Sequence, residues 1–146
     1  MNFPRILKKR KGYIDRIKPF MQKSVIKVLT GQRRVGKSFL LYQLIEEILA
    51  EEPDANIIYA NLEDFTFSSL QTAEDLHSYI ISHSKEKVKN YIFIDEIQDI
   101  PGFEKVIRSL LLNEDNDIYI TGSNAKMLSG ELATYLSGRY IEFKIY

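Results

Sequence analysis

The sequence predicts an α/β domain whose mostly parallel sheet is covered by helices on both faces. Three observations predict it. Five short apolar runs alternate along the chain with amphipathic stretches at helical spacing. The runs are apolar on both faces, as strands buried from both sides must be. A glycine-rich segment, GQRRVGKS at residues 31–38, joins the first apolar run directly to the first amphipathic stretch.

Residues 1–24 read as a basic arm carrying a short amphipathic helix around Tyr13 to Phe20, interrupted by Pro19. The core then runs over 25–146. The first strand is Val25 to Thr30, β-branched and apolar. The first core helix is expected over about 37–51, with Leu40, Leu41, Leu44, Ile45, Ile48 and Leu49 on one face and Pro53 as its stop. Asn56 to Ala60 is the second strand. Thr72 to Ser82 is a helix, opened by Thr72 and Asp75 at capping-box spacing, with Asp in place of the usual Glu. Residues 84–90 are a polar, basic surface connection. Tyr91 to Ile94 is the third strand. Phe103, Val106, Ile107, Leu110 and Leu111 form one face of the next helix. Asp117 to Thr121 is the fourth strand, Ser123 to Leu136 is helical in whole or part, and Tyr140 to Tyr146 is the fifth strand.

Bulk properties narrow the classes. A chain of 146 residues with 45% hydrophobic content suits one soluble globular domain. No apolar run approaches a membrane span, and no secretory leader pattern is present. The absence of cysteine excludes disulfides and thiolate metal sites. His77 and His83 alone do not make a zinc site. A cytoplasmic protein is expected. Charge is zero overall but uneven: residues 1–37 hold twelve of the twenty Lys and Arg and only one acid, Asp15. That field suits a polyanionic nucleotide. The run Lys8-Lys9-Arg10-Lys11 is either a solvated arm or a contact to nucleic acid or nucleotide phosphates, with only Tyr13 as a nearby ring to stack a base.

GQRRVGKS fits G-x-x-x-x-G-K-[ST], the phosphate-binding P-loop. Strand, glycine loop and helix follow in the order that the chemistry needs. Gly31, Gln32, Arg33, Arg34, Val35 and Gly36 offer backbone N–H groups to phosphate. Lys37 supplies the charge, Ser38 a hydroxyl for Mg2+, and Phe39 follows at the helix start. The side chains of Arg33 and Arg34 are expected to face solvent.

A second signal, YIFIDEIQ, spans residues 91–98. Acids at the C-terminal end of a buried parallel strand lie at the sheet edge where ligands bind. Asp95 is placed to hold Mg2+ through water with Ser38. Glu96, one residue further out, is placed to orient and deprotonate water attacking the γ-phosphate. Two exposed acids at a strand end is the plainer alternative. In DIYITGSN, residues 117–124, Asn124 is the first choice and Ser123 the second for a group that touches the γ-phosphate and the water; otherwise the cluster is a turn and helix cap. Arg139 is either a neutraliser of transition-state charge or a partner in a surface ion pair. Asn61 is placed by position to hold Glu96 off the water. Asp99-Ile100-Pro101-Gly102 and Ser123-Asn124-Ala125-Lys126 resemble guanine-nucleotide motifs only loosely, and no N-K-x-D guanine reader exists. Adenine is therefore favoured, with Tyr13 or Arg10 as weak candidates for contacting the base.

With GQRRVGKS, YANLED, YIFIDEIQDIPGFEKVIRSLL and IYITGSNAKMLSGELATYLSGRYIEF in that order, the chain resembles the prokaryotic AAA-type ATPases of archaea and bacteria, from about Tyr13 to its end. The resemblance implies a three-layer P-loop NTPase core with strand order 5-1-4-3-2. Gly31, Gly36, Lys37 and Ser38 match the family's Walker A motif, Asp95 and Glu96 its Walker B motif, Ser123-Asn124 its sensor-1 region, and Arg139 its Gly-Arg signature. It implies ATP and Mg2+ as ligands, and hydrolysis of ATP coupled to conformational change. Family members continue through a lid into a C-terminal domain, so a core without lid or C-terminal domain is expected, with less efficient turnover. A DNA or protein effector and a homo-oligomer are the partners left open. The alternatives are a nucleotide-dependent switch or DNA-binding module with little hydrolysis of its own, and a small-molecule kinase, which the lack of an arginine cluster after the P-loop helix disfavours.

Overall fold

The computed structural model describes residues 11–32, 34–123, 136 and 138–146. In chain order these form α1 (Lys11–Ile17), β1 (Ile26–Thr30), α2 (Lys37–Glu51), β2 (Asn56–Asn61), α3 (Ala73–His83), β3 (Asn90–Asp95), α4 (Phe103–Leu110), β4 (Asn116–Gly122) and β5 (Tyr140–Lys144). Single 3-10 turns at Lys18–Phe20, Phe65–Phe67 and Ile97–Asp99 complete the description. The first of them holds Pro19, so the expected break of the N-terminal helix is a change of helix type. The other two fall in loops where no periodicity marks them. The helix expected over Ser123 to Leu136, and the Lys8 to Arg10 part of the basic run, lie outside the described residues save Ser123 and Leu136.

Local chemistry explains the boundaries. α2 begins at Lys37 because Gly36 takes the left-handed conformation, φ 91°, as its N-cap. α3 is opened by a true capping box: Thr72 accepts from the Asp75 N–H while the Asp75 side chain accepts from the Thr72 N–H. That aspartate serves where glutamate is usual.

The five strands form one sheet, order β2-β3-β4-β1-β5, with every pairing parallel. This matches the order expected from the sequence. Side chains alternate across the sheet and sort into two cores. Ile26, Val28, Ile92, Ile94, Ile118 and Ile120 face α3 and α4. Leu29, Tyr91, Phe93 and Tyr119 face α1 and α2. β3, β4 and β1 are fully buried, as the two-sided apolar runs require.

The register decides which polar groups meet. Ile94 on β3 stands opposite Ile120 on β4. Asp95 and Thr121, one step further, therefore project together from the C-terminal edge onto the α2 face. The helix that follows the glycine loop covers that same face.

Candidate functional site

The loop between β1 and α2 is tightly built. Ile145 donates its N–H to Thr30 O at 2.7 Å, carrying the β1–β5 ladder one residue past the strands. A Cβ on Gly31 would run into the Ile145 carbonyl oxygen, so only glycine passes here. Arg34 takes a left-handed φ of 69°, which a non-glycine residue adopts at a cost. Its side chain is exposed, as is that of Gln32. Val35 donates its N–H to Gln32 O across the loop, and the Phe39 ring meets Tyr42 edge-on. Arg33 lies outside the described residues.

Lys37 is 4% exposed, and its ammonium donates to the carbonyls of Gly31 and Gln32 at 2.7 and 2.8 Å. It lies 3.9 Å from Glu96 Oε1. Ser38, in the first turn of α2, donates to Asp95 Oδ2. Thr121 donates to Asp95 Oδ1 and accepts the backbone N–H of Glu96. Burial pushes the Asp95 carboxyl above the usual carboxylate range, aided by the Glu96 charge; the hydroxyls of Ser38 and Thr121 and the charge of Lys37 pull the other way. Glu96 is buried and left-handed, φ 58°. That turn sends its side chain out of the strand direction and back toward Ser123, which donates to Glu96 Oε2 at 2.8 Å. Gln98 Nε2 donates to the same oxygen at 2.6 Å.

The structure thus brings Lys37, Ser38, Asp95, Glu96 and Ser123 together at the C-terminal edge of the sheet, beside the backbone of residues 31, 32 and 34–36. Asn124 lies outside the described residues. Arg139 is not brought to this edge. β5 pairs with β1 from Ile26↔Tyr140 onward, and Arg139 O accepts the Ile26 N–H, so Arg139 sits at the N-terminal edge. The four residues of rise along β1 separate it from the loop by about 13 Å. The register thus sets Arg139 at the sheet edge opposite the loop, because a parallel strand enters the sheet there. Asn61 does not hold Glu96 either. Its side-chain oxygen Oδ1 accepts the Glu63 N–H, and Gln98 and Ser123 hold the glutamate instead. Gln98 and Thr121 were not singled out by motif; the only trace is that Gln98 closes the DEIQ string and Thr121 ends an apolar strand.

Among the described residues no group of three or more His, Cys, Asp or Glu could hold a metal ion, and no helix is long and apolar enough to cross a membrane.

A family model described as an AAA domain matches residues 23–146. An uncharacterized protein of Haemophilus influenzae is 44% identical over 144 residues, covering 94% of this chain and 35% of that protein. An uncharacterized protein of Methanocaldococcus jannaschii is 37% identical over 121 residues, covering 82% of this chain and 26% of that protein. The chain thus spans about a third or less of the length of these relatives. Among solved structures, Cdc6p from Pyrobaculum aerophilum aligns with TM-score 0.66 at 14% identity, over 97% of this chain and 47% of that one. The Aeropyrum pernix ORC1 protein in complex with DNA aligns with TM-score 0.64 at 14% identity, over 98% and 46%. These likenesses carry the fold, a P-loop NTPase core, and the sequence match carries the family: this chain belongs to the AAA domain family.

Proposed function

We propose that the chain is the ATP-binding, Mg2+-dependent ATPase core of an AAA-type protein, hydrolysing ATP to ADP and phosphate and coupling nucleotide state to conformational change. One observation carries the proposal: an amine (Lys37), a hydroxyl (Ser38) and two acids (Asp95, Glu96) converge beside a strained glycine loop at the C-terminal edge of a parallel sheet.

The backbone N–H groups of residues 31–36 and the N-terminus of α2 cradle the phosphates. Lys37 exchanges its bonds to the Gly31 and Gln32 carbonyls for phosphate oxygens. The Ser38–Asp95 pair suits Mg2+, which takes hard oxygen donors and is commonly held by one or two protein groups with phosphate and water as the rest. When bound, Mg2+ neutralises charge on the phosphate oxygens. Glu96 takes the proton of the attacking water. The localisation proposed is cytoplasmic. Arg139, at the other sheet edge, acts on phosphates only if a second copy presents it.

Phosphate release and nucleotide affinity test this together. Glu96→Gln keeps ATP affinity and loses turnover. Lys37→Ala, losing charge-assisted bonds of about 1.5–3 kcal/mol each, binds ATP about ten- to a hundredfold more weakly. Unchanged affinity in Lys37→Ala sinks the site; retained turnover in Glu96→Gln sinks the base.

A further inference from the structure

The two oxygens of the Glu96 carboxylate are held differently: among the described residues, hydrogen bonds fall on Oε2 alone, and Oε1 has only an ion-pair contact. Oε2 accepts from Gln98 Nε2 at 2.6 Å and from Ser123 Oγ at 2.8 Å, which uses both of its lone pairs. Oε1 faces Lys37 Nζ across 3.9 Å, toward the glycine loop. Ser123 has one hydroxyl proton and gives it to Glu96, so it is the acceptor for Gln98 Nε2, 3.4 Å away. The three side chains form a closed triangle at the ends of β3 and β4.

The triangle settles which way the Gln98 amide faces. Its nitrogen must look at the carboxylate, since its oxygen there would meet negative charge. Its Oε1 is then turned away, and it is a buried side-chain atom with no hydrogen-bond partner among the described residues. Buried amides are usually paired at both ends, so an unpaired carbonyl calls for a reason. Here the carbonyl is unpaired among the described residues while the N–H stays on Glu96. The residue it holds is itself in a costly left-handed conformation, pinned through its N–H to Thr121.

We infer that Gln98 is a positioning residue: with Ser123 it anchors Oε2 of Glu96 so that Oε1 is presented to the phosphate loop as the proton acceptor. The inference rests on the hydrolytic function proposed for the site and adds which oxygen acts and what selects it. In the step, a water proton passes to Oε1 while the water oxygen bonds to the γ-phosphorus. The bond from that phosphorus to the bridging oxygen breaks, and its electron pair leaves with ADP. With the anchor gone, the carboxylate rotates and Oε1 is no longer held toward the loop, while the groups that bind phosphate are untouched.

The test uses Gln98→Leu, Ser123→Ala and the double variant of this chain, each checked for an unchanged fold by circular dichroism. Phosphate release gives kcat, and calorimetric titration with ADP gives affinity. Each single variant is expected to lose about tenfold or more in kcat while ADP affinity stays within about twofold. The double variant is expected to lose little more than the worse single, because both bonds serve one oxygen. A Gln98→Leu kcat within about twofold of the unsubstituted chain overturns the inference, and so does a matched loss of kcat and affinity. A readout independent of turnover is the Gln98 side-chain amide resonance in a 1H–15N spectrum. It is expected to move in both Glu96→Gln and Ser123→Ala. A Gln98 resonance indifferent to Glu96→Gln overturns the anchor whatever the activity. A chain that shows no turnover but keeps the coupled resonance retires the hydrolytic function and supports the anchor.

Discussion

Asp95 shows how a buried carboxyl costs stability at a single residue. Its carboxyl is buried at the sheet edge, and burial raises its proton affinity despite two donated hydroxyls. A folded-state pKa above the unfolded one means the native state binds the proton more readily. Its contribution to stability therefore falls as pH rises from the ordinary carboxylate range to the raised value. Asp95→Asn removes the buried charge and leaves Ser38 and Thr121 a polar partner. The variant is expected to melt higher than the unsubstituted chain at neutral pH and to lose the Mg2+ dependence of ATP affinity. Scanning calorimetry and titrations with and without Mg2+ read the two effects; a lower melting temperature contradicts the first. Gln98 and Thr121 carry the same lesson. Each is ordinary by type; Gln98 donates to Glu96, and Thr121 donates to Asp95 and accepts the Glu96 N–H.

At the scale of elements, two devices hold the fold together. The first is the capping box of α3. Thr72→Ala is expected to cost about 1 kcal/mol in urea unfolding, as lost N-caps usually do. Backbone N–H groups of Gln71 and Thr72 hold the Asp75 carboxyl below its ordinary range. A lowered folded pKa gives stability that is present above the unfolded value and lost as pH falls through the folded one. The advantage of the unsubstituted chain over Asp75→Asn is accordingly expected to shrink in acid. The second device ties β1 to β4. Lys27 and Asp117 form a fully buried ion pair, with Tyr119 OH and the Gln22 N–H also donating to Asp117 and the Lys23 carbonyl accepting from Lys27. Burial pulls the Lys27 ammonium below its usual range, against the Asp117 charge. Asp117→Ala leaves that ammonium buried without its counter-ion and is expected to destabilise by about 3–5 kcal/mol, read by denaturant unfolding. A cost near zero would mean that water reaches Lys27.

For the whole molecule, the open question is the partner. Twelve of the twenty basic residues precede residue 38, whereas the remainder is acidic. If nucleic acid is the partner, retention on DNA is expected to be strong at low salt and to fall steeply as salt rises; no retention at low salt removes DNA from consideration. Much of the rest was legible in the chain itself. The strands and core helices follow from apolar periodicity, the capping box from its local spacing, and the loop and its acids from motifs whose members are contiguous, such as residues 31–38 and 95–96; the sheet order follows only from the family resemblance that those motifs carry. Contiguity keeps such groups together in any fold that preserves strand, loop and helix. What tertiary structure alone decided are meetings across strands. Thr121 reaches Asp95, Gln98 and Ser123 share one oxygen of Glu96, and Lys27 finds Asp117 because parallel strands stand in one particular register. No local pattern specifies that register; packing of two cores against one sheet does. The same geometry moved Arg139 to the opposite edge, since a parallel strand must enter where its neighbours begin. Contiguous motifs thus set the glycine loop and its neighbouring acids, and the sheet set which atom of Glu96 is turned toward that loop.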